Sequence, residues 1–198
     1  MRDGADLIPD GATCGVFNAT DACDVSGLSG DITVVQGFAP FVDQLTAAGI
    51  RVTQHAHGPF DVAVVLLPKS KKLARDLIYQ ATQAVPNGTV LVDGQKTDGI
   101  DSILKDLKKH VSLSAPVSKA HGKLAWFSTP AQVPDYADTG MLLPQGFATS
   151  AGVFSADGID PASQLLARLL PPLRGTVADL GAGWGYLTHT LCNSPAIT

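Results

Sequence analysis

"FDVAVVLLPKSKKLARDLIYQATQAVPNGTVLVDG", residues 60–94, decides the fold class. An unbroken apolar run leads into a helical repeat in which Leu73, Leu77, Ile78, Ala81 and Val85 share one face. Pro86 and Gly88 stop the repeat, and "TVLVDG" begins a second apolar run. Strand, amphipathic helix and strand in that order predict two parallel strands joined by a helical crossover. Strands without polar alternation are buried on both faces, so the sheet they build needs cover on both sides.

The same alternation extends in both directions. "CGVFNA" (14–19) and "DITVVQGF" (31–38) read as buried strands, and "APFVDQLTAAGI" (39–50) as a helix stopped by Gly49 in the left-handed conformation. "RVTQHAH" (51–57) reads as a further strand. "GIDSILKDLKKH" (99–110) spaces Ile100, Ile103, Leu104 and Leu107 as a helix face, and leads to strand signals in "VSLSAPV" (111–117) and "KLAWFS" (123–128). Residues 1–130 are therefore expected to form one doubly wound, mostly parallel α/β domain. From Ser128 the text turns rich in proline and glycine without periodicity, which predicts a connection over 131–150. Past it, Asp160 suits an N-cap and Pro161 the first turn of a helix, with Leu165, Leu166, Leu169 and Leu170 as its buried stripe.

Composition narrows the classes. With 45% hydrophobic and 16% charged residues the chain is globular, and its longest apolar run falls far short of the roughly 20 residues that span a bilayer, so no membrane partner is expected. The first residues are acidic and carry no sustained apolar stretch, which reads against a secretory signal and predicts a cytoplasmic protein. Cys14, Cys23 and Cys192 are odd in number and irregularly spaced, so they are read as reduced, with no disulfide partner and no metal. His55 and His57 alternate on a predicted strand without a third ligand nearby, and Asp93 reads as a turn residue.

Charge is unevenly spread. Between Lys69 and Lys123 lie ten of the fourteen Lys and Arg against five Asp, while the remaining positions carry four cations against thirteen acids. Lys69, Lys71, Lys72 and Arg75 precede or open one predicted helix, and Lys105, Lys108 and Lys109 belong to another. Such runs are either solvated helix faces or a surface that meets nucleic-acid phosphates. The predicted sheet offers no cofactor loop to decide between them. "ITVVQGF" ends in a single glycine, and "VAVVLLP" ends without a carboxylate, amide or hydroxyl.

A glycine loop occurs elsewhere, in "TVADLGAGWGYLTHTL" (176–191), where a predicted strand runs into Gly181, Gly183 and Gly185 and then a helix start. The dinucleotide fingerprint G-x-G-x-x-G/A fails because Tyr186 stands at its sixth position. The match is D-x-G-x-G-x-G, typical of class I S-adenosylmethionine-dependent methyltransferases. With its upstream segment, "GVFSADGIDPASQLLARLLPPLRGTVADLGAGWGYLTHTL" (152–191) resembles the start of the catalytic domain in the ribosomal RNA small subunit methyltransferase C family, guanine-N2 methyltransferases of small-subunit rRNA. "LLPKSKKLARDLIYQATQAVPNGTVLVDGQKTDGIDS" is the best match to that family's N-terminal domain, which looks like a second methyltransferase fold without a working cofactor site.

The resemblance implies a degenerate methyltransferase-like domain over 1–130 and the first elements of a Rossmann-like catalytic domain over 151–198. It implies S-adenosyl-L-methionine as cofactor, with Phe154, Ser155, Asp157, Gly158 and Asp160 covering it and Asp179, Gly181, Ala182, Gly183 and Gly185 forming the loop beneath its methionine part. Trp184 is expected to face away from that ligand as packing. The family's Asn-Pro-Pro-aromatic turn, which accepts the target amine, and the acidic residue for the ribose hydroxyls do not occur in these 198 residues. The chain is thus expected to be the inactive N-terminal part of a longer enzyme, with small-subunit rRNA as partner and the oligomeric state open. Two rivals stand beside this reading. One is a non-enzymatic RNA-binding or assembly module, and the other a methyltransferase of the same superfamily acting on another RNA or on protein glutamine.

Overall fold

The computed structural model describes residues 7–143 and 146–197. They fall into two compact units, Met1–Ala137 and Asp138–Thr198.

The first unit builds a seven-stranded sheet from β1 (Thr13–Phe17), β2 (Asp31–Val35), β3 (Val52–Thr53), β4 (Val62–Leu66), β5 (Thr89–Gln95), β6 (Val117–Lys119) and β7 (Gly122–Ser128). Its helices are α1 (Ala39–Ala47), α2 (Lys71–Ala84) and α3 (Ile100–Leu107), with a 3-10 turn at Lys96–Asp98. The strand order is β3-β2-β1-β4-β5-β7-β6. The first five strands run parallel, β7 pairs antiparallel with β5, and β6 pairs antiparallel with β7. The expected mostly parallel α/β architecture is what forms.

Period-two alternation sends the apolar side chains to opposite faces. Phe17, Val65, Val90, Val92 and Phe127 lie beneath Ile78 and Ala81 of α2 and Ile100, Ile103 and Leu104 of α3. Cys14, Val16, Val64 and Leu91 point the other way, toward Leu45 of α1 and toward Ile8 and Val25 in irregular chain. Burying side chains of this size stabilises each by roughly 1.5–3 kcal/mol. The two faces are covered unequally. α2 and α3 both serve the first face, whereas the β1–β2 connection, residues 18–30, contains no helix, so the second face is roofed partly by loop.

Local signals place the helix ends. Ser70 accepts a hydrogen bond from the Leu73 amide to cap α2, and α1 stops near Gly49 at φ +79°, as its sequence implies. Other boundaries differ from expectation. "RVTQHAH" pairs only at Val52 and Thr53, since the Thr53 hydroxyl donates to the His55 carbonyl and turns the chain out of the ladder. "VSLSAPV" pairs only at its last residue, because the Ser114 hydroxyl accepts the Trp126 amide in place of a strand carbonyl. Asp93 is a strand residue and not a turn, because β5 continues to Gln95 opposite β7.

The second unit contains a two-stranded antiparallel hairpin of β8 (Met141–Leu142) and β9 (Ala148–Thr149), then α4 (Pro161–Leu169) and α5 (Tyr186–Cys192). The stretch 131–150, read as a connection, is divided: 131–137 belong to the first unit and the hairpin lies in the second, while residues 144 and 145 lie outside the described residues. Asp160 caps α4 by accepting the Ser163 amide at 2.8 Å, as expected. The stripe on α4 is not buried, for Leu165, Leu166 and Leu169 are exposed, Leu169 at 70%. Nor does a strand form at 177–180; Leu180 is 93% exposed, and the nearest ladder contact is an isolated bridge from Gly175 to Ile197. A strand needs a partner to satisfy its backbone and a layer to cover its face, and among the described residues of this unit neither stands beside 177–180.

Candidate functional site

Within the second unit the two segments that the resemblance assigns to the cofactor meet. Ser155 holds φ +51°, a left-handed conformation uncommon for a residue with a Cβ, and its turn is closed twice. The Ser155 hydroxyl donates to the Gly158 carbonyl at 2.8 Å, and the Gly158 amide donates back to the Ser155 carbonyl at 3.2 Å. The Thr149 hydroxyl, buried, donates to the Ala156 carbonyl at 2.7 Å and ties the turn to the hairpin.

The second loop owes its shape to Gly181, Gly183 and Gly185, at φ +83°, +58° and +94°. A Cβ at any of the three would meet nothing within 4 Å, so backbone dihedral and not crowding explains glycine here. Gly185 is the N-cap of α5, and its amide donates to the Ala182 carbonyl at 2.9 Å.

Between these loops lies a cavity of about 70 Å³, walled by Phe154, Ser155, Asp160, Gly181, Ala182 and Gly183 among the predicted residues. Asp157, Gly158, Asp179 and Gly185 do not line it. Gly158 serves the turn, and Asp179 instead accepts the Thr188 hydroxyl at 2.7 Å. Ser163, Trp184, Tyr186 and Leu187 line the cavity without having been singled out for it. Trp184 departs from the expected outward packing. It forms part of the wall while its ring packs at a tilt against Phe147 at 4.9 Å and Tyr186 at 5.9 Å, a cluster that also includes His189 against Phe147. Ser163 had a readable signal, since a serine three residues past an Asp N-cap faces the cap; its hydroxyl donates to Asp160 at 3.1 Å.

The carboxyl edge of the first unit's sheet is bridged by a side chain. Asn18, left-handed at φ +66°, reaches from the end of β1 to donate its amide to the Leu66 carbonyl of β4 at 2.9 Å. This bridge crosses the point where the chain order reverses, where open α/β sheets hold their ligands. Gln36, buried past β2, spends its amide on the Ala19 carbonyl and accepts the Phe38 amide.

The predicted basic residues lie on or at the ends of α2 and α3, which cover the same sheet face. Arg75 and Lys109 both bind Asp106, at 2.8 and 3.1 Å, and these cations hold its carboxyl below the usual range. Arg75 also lies over the Tyr136 ring at 5.5 Å, and the Tyr136 hydroxyl donates to Asp106. Lys69, Lys71, Lys105 and Lys108 are exposed, and no ion pair engages them among the described residues. Cys14 is buried, which pushes its thiol up to about 11 and makes it inert. Among the described residues no cluster could hold a metal ion, and no helix is long and apolar enough to cross a membrane.

Residues 22–137 match the family model described as methyltransferase small domain N-terminal, and residues 145–197 match the methyltransferase small domain. The chain belongs to this methyltransferase small domain family. Among family relatives, the ribosomal RNA small subunit methyltransferases C of Shewanella loihica and Shewanella oneidensis are each 34% identical over 143 residues, covering 67% of this chain and 42% of theirs. The chain thus spans about two fifths of the length of the curated relatives it matches. A T. thermophilus 16S rRNA N2 methyltransferase solved with AdoMet and guanosine shares the fold at a TM-score of 0.68, with 20% identity over 99% of this chain and 62% of that one. The resemblance carried by residues 152–191 and 66–102 is therefore a family relationship.

Proposed function

We propose that this small-domain chain is part of an S-adenosylmethionine-dependent rRNA methyltransferase that modifies a guanine exocyclic amine in small-subunit rRNA. The observation that carries this reading is the meeting of two segments distant in sequence, 154–160 and 181–183, around one cavity. The Asp160 carboxylate and the Ser155 and Ser163 hydroxyls suit the charged methionine end of the cofactor. A cavity of about 70 Å³ is small beside the roughly 300–1,000 Å³ of ordinary ligand sites, which suits one end of the cofactor better than the whole.

The cofactor supplies an electrophilic methyl group; the residues named here would orient it. Gly158, Asp179 and Gly185 act through loop shape, by the turn, the Thr188 hydrogen bond and the helix cap just described. The first unit is the rRNA-positioning part, a reading supported by four exposed lysines at α2 and α3 that no described residue pairs. The 198 residues by themselves are read as inactive, since they contain no Asn-Pro-Pro-aromatic sequence.

Two measurements test the reading. Titration calorimetry of the 198-residue chain with S-adenosylmethionine is expected to show no micromolar binding, and a micromolar Kd would overturn the inactivity. A longer polypeptide that carries this sequence together with an Asn-Pro-Pro-aromatic turn is expected to yield N2-methylguanine in small-subunit rRNA by mass spectrometry. Loss of that product on Asp160→Asn supports the cavity as the cofactor site, and full activity of the variant counts against it.

A further inference from the structure

The face of the first unit's sheet that α1 and loop cover holds a carboxylate where a doubly covered sheet would hold an aliphatic side chain. Asp93 lies on β5, a central strand, on the same face as Leu91. Its register neighbours are Leu66 on β4 and Leu124 on β7. No hydrogen bond or ion pair reaches its carboxyl from a described residue, and burial raises its pKa, with the Asp98 charge adding to the effect. An unpartnered carboxylate among leucines costs free energy unless a cation arrives to meet it.

There is room for one. The loop after β1 and the chain near Ile8 roof this face without filling it, leaving a cavity of about 460 Å³. Val16, Val64, Leu66, Leu91 and Leu124 make its floor, and Asp93 stands among them; Asp24 lies at the roof, its carboxylate already accepting the amide and hydroxyl of Ser26. The volume falls within the range of small-molecule sites, and a mostly apolar lining with few polar groups is their usual character. The cavity also lies on the face just behind the carboxyl ends of β1, β4 and β5, beside the crevice that Asn18 bridges.

We propose that this cavity binds a small organic cation with an apolar body, its ammonium group pairing with Asp93 and its hydrocarbon resting on the strand leucines. The first unit then carries a ligand site of its own, independent of the cofactor cavity in the second unit. It would select by charge at one point and by apolar fit elsewhere, which distinguishes an amine from its neutral isostere.

Three probes of one shape but different charge test this on the 198-residue chain. Phenethylamine, 2-phenylethanol and 3-phenylpropionate are titrated and followed by chemical-shift changes of the β5 and β7 amides. The amine is expected to bind at least about tenfold tighter than the alcohol, and the carboxylate not at all. Asp93→Asn is expected to bring the amine to the alcohol's affinity while the alcohol still binds, which shows that the variant is folded. Asp24→Asn is expected to leave the tenfold preference in place. Equal affinity for amine and alcohol, loss of the preference in Asp24→Asn but not Asp93→Asn, or no shift with any probe would overturn the proposal.

Discussion

Gly183 shows what a single position in the candidate site demands. At φ +58° with open space where a Cβ would go, alanine would suffer backbone strain alone, about 1–2 kcal/mol. Gly183→Ala is therefore expected to weaken hydrogen-exchange protection at the start of α5, and Gly183→Asn to weaken it less, because asparagine tolerates the left-handed region better. The glycine spacing was legible in sequence for this reason, since a dihedral requirement leaves a local mark. Trp184 was not, because its direction depends on Phe147 and Tyr186, a contact no spacing encodes. Asp93 misled for the opposite reason: "DG" is a local turn signal, and pairing with β7 overrides it. Asp106 makes a pH-dependent prediction. Its carboxyl is held low by Lys109 and Arg75, so the stability it contributes is present above the ordinary carboxylate pKa and is lost as pH falls through the lowered one. With Lys109 largely in solvent the effect is at most about 1 kcal/mol. Asp106→Asn is expected to flatten the acid limb of a stability-versus-pH curve by that amount, and an unchanged limb would show the pairs to be energetically idle.

Helices α2, α3 and α4 carry the same kind of apolar stripe, yet only two of them are buried. Ile103→Ala on α3 is expected to cost roughly 2–5 kcal/mol, read as a shift of the urea midpoint, because it empties a fully packed position. Leu169→Ala on α4 is expected to change it by less than about 0.5 kcal/mol, since that side chain is mostly in solvent. Helical period reveals which face seeks cover; whether cover exists is a property of other elements. The same holds for the lysines. Sequence placed the basic residues on two helices, and only the sheet topology puts those helices on one face. It also separates Arg75 and Lys109, committed to Asp106, from Lys69, Lys71, Lys105 and Lys108. If the first unit holds rRNA, changing those four to alanine should lower the slope of log affinity against log salt by up to about 3–4 units. Arg75→Ala should lower stability more than the slope, and equal slopes for all variants would assign these residues to solvent alone.

At the scale of the molecule, the first unit was readable nearly end to end because buried strands and crossover helices announce themselves by run length and period. The second was readable only as motif. Its glycine loop took the turn its spacing implies, while its strand and its helix stripe lacked the neighbours that would pair and bury them. Hydrogen exchange is accordingly expected to show residues 151–197 exchanging far faster than β1, β4 and β5, and equal protection in both units would refute this.

The seven-stranded sheet tapers, with the longest strands, β5 and β7, in its interior and β3 and β6 at its rims covering two and three residues. So short a rim exposes few unpaired amides and carbonyls, and Lys119 charges one of them. Another sheet therefore finds no template on which to stack edge to edge, and fibrillar self-assembly through this unit is disfavoured even in concentrated solution.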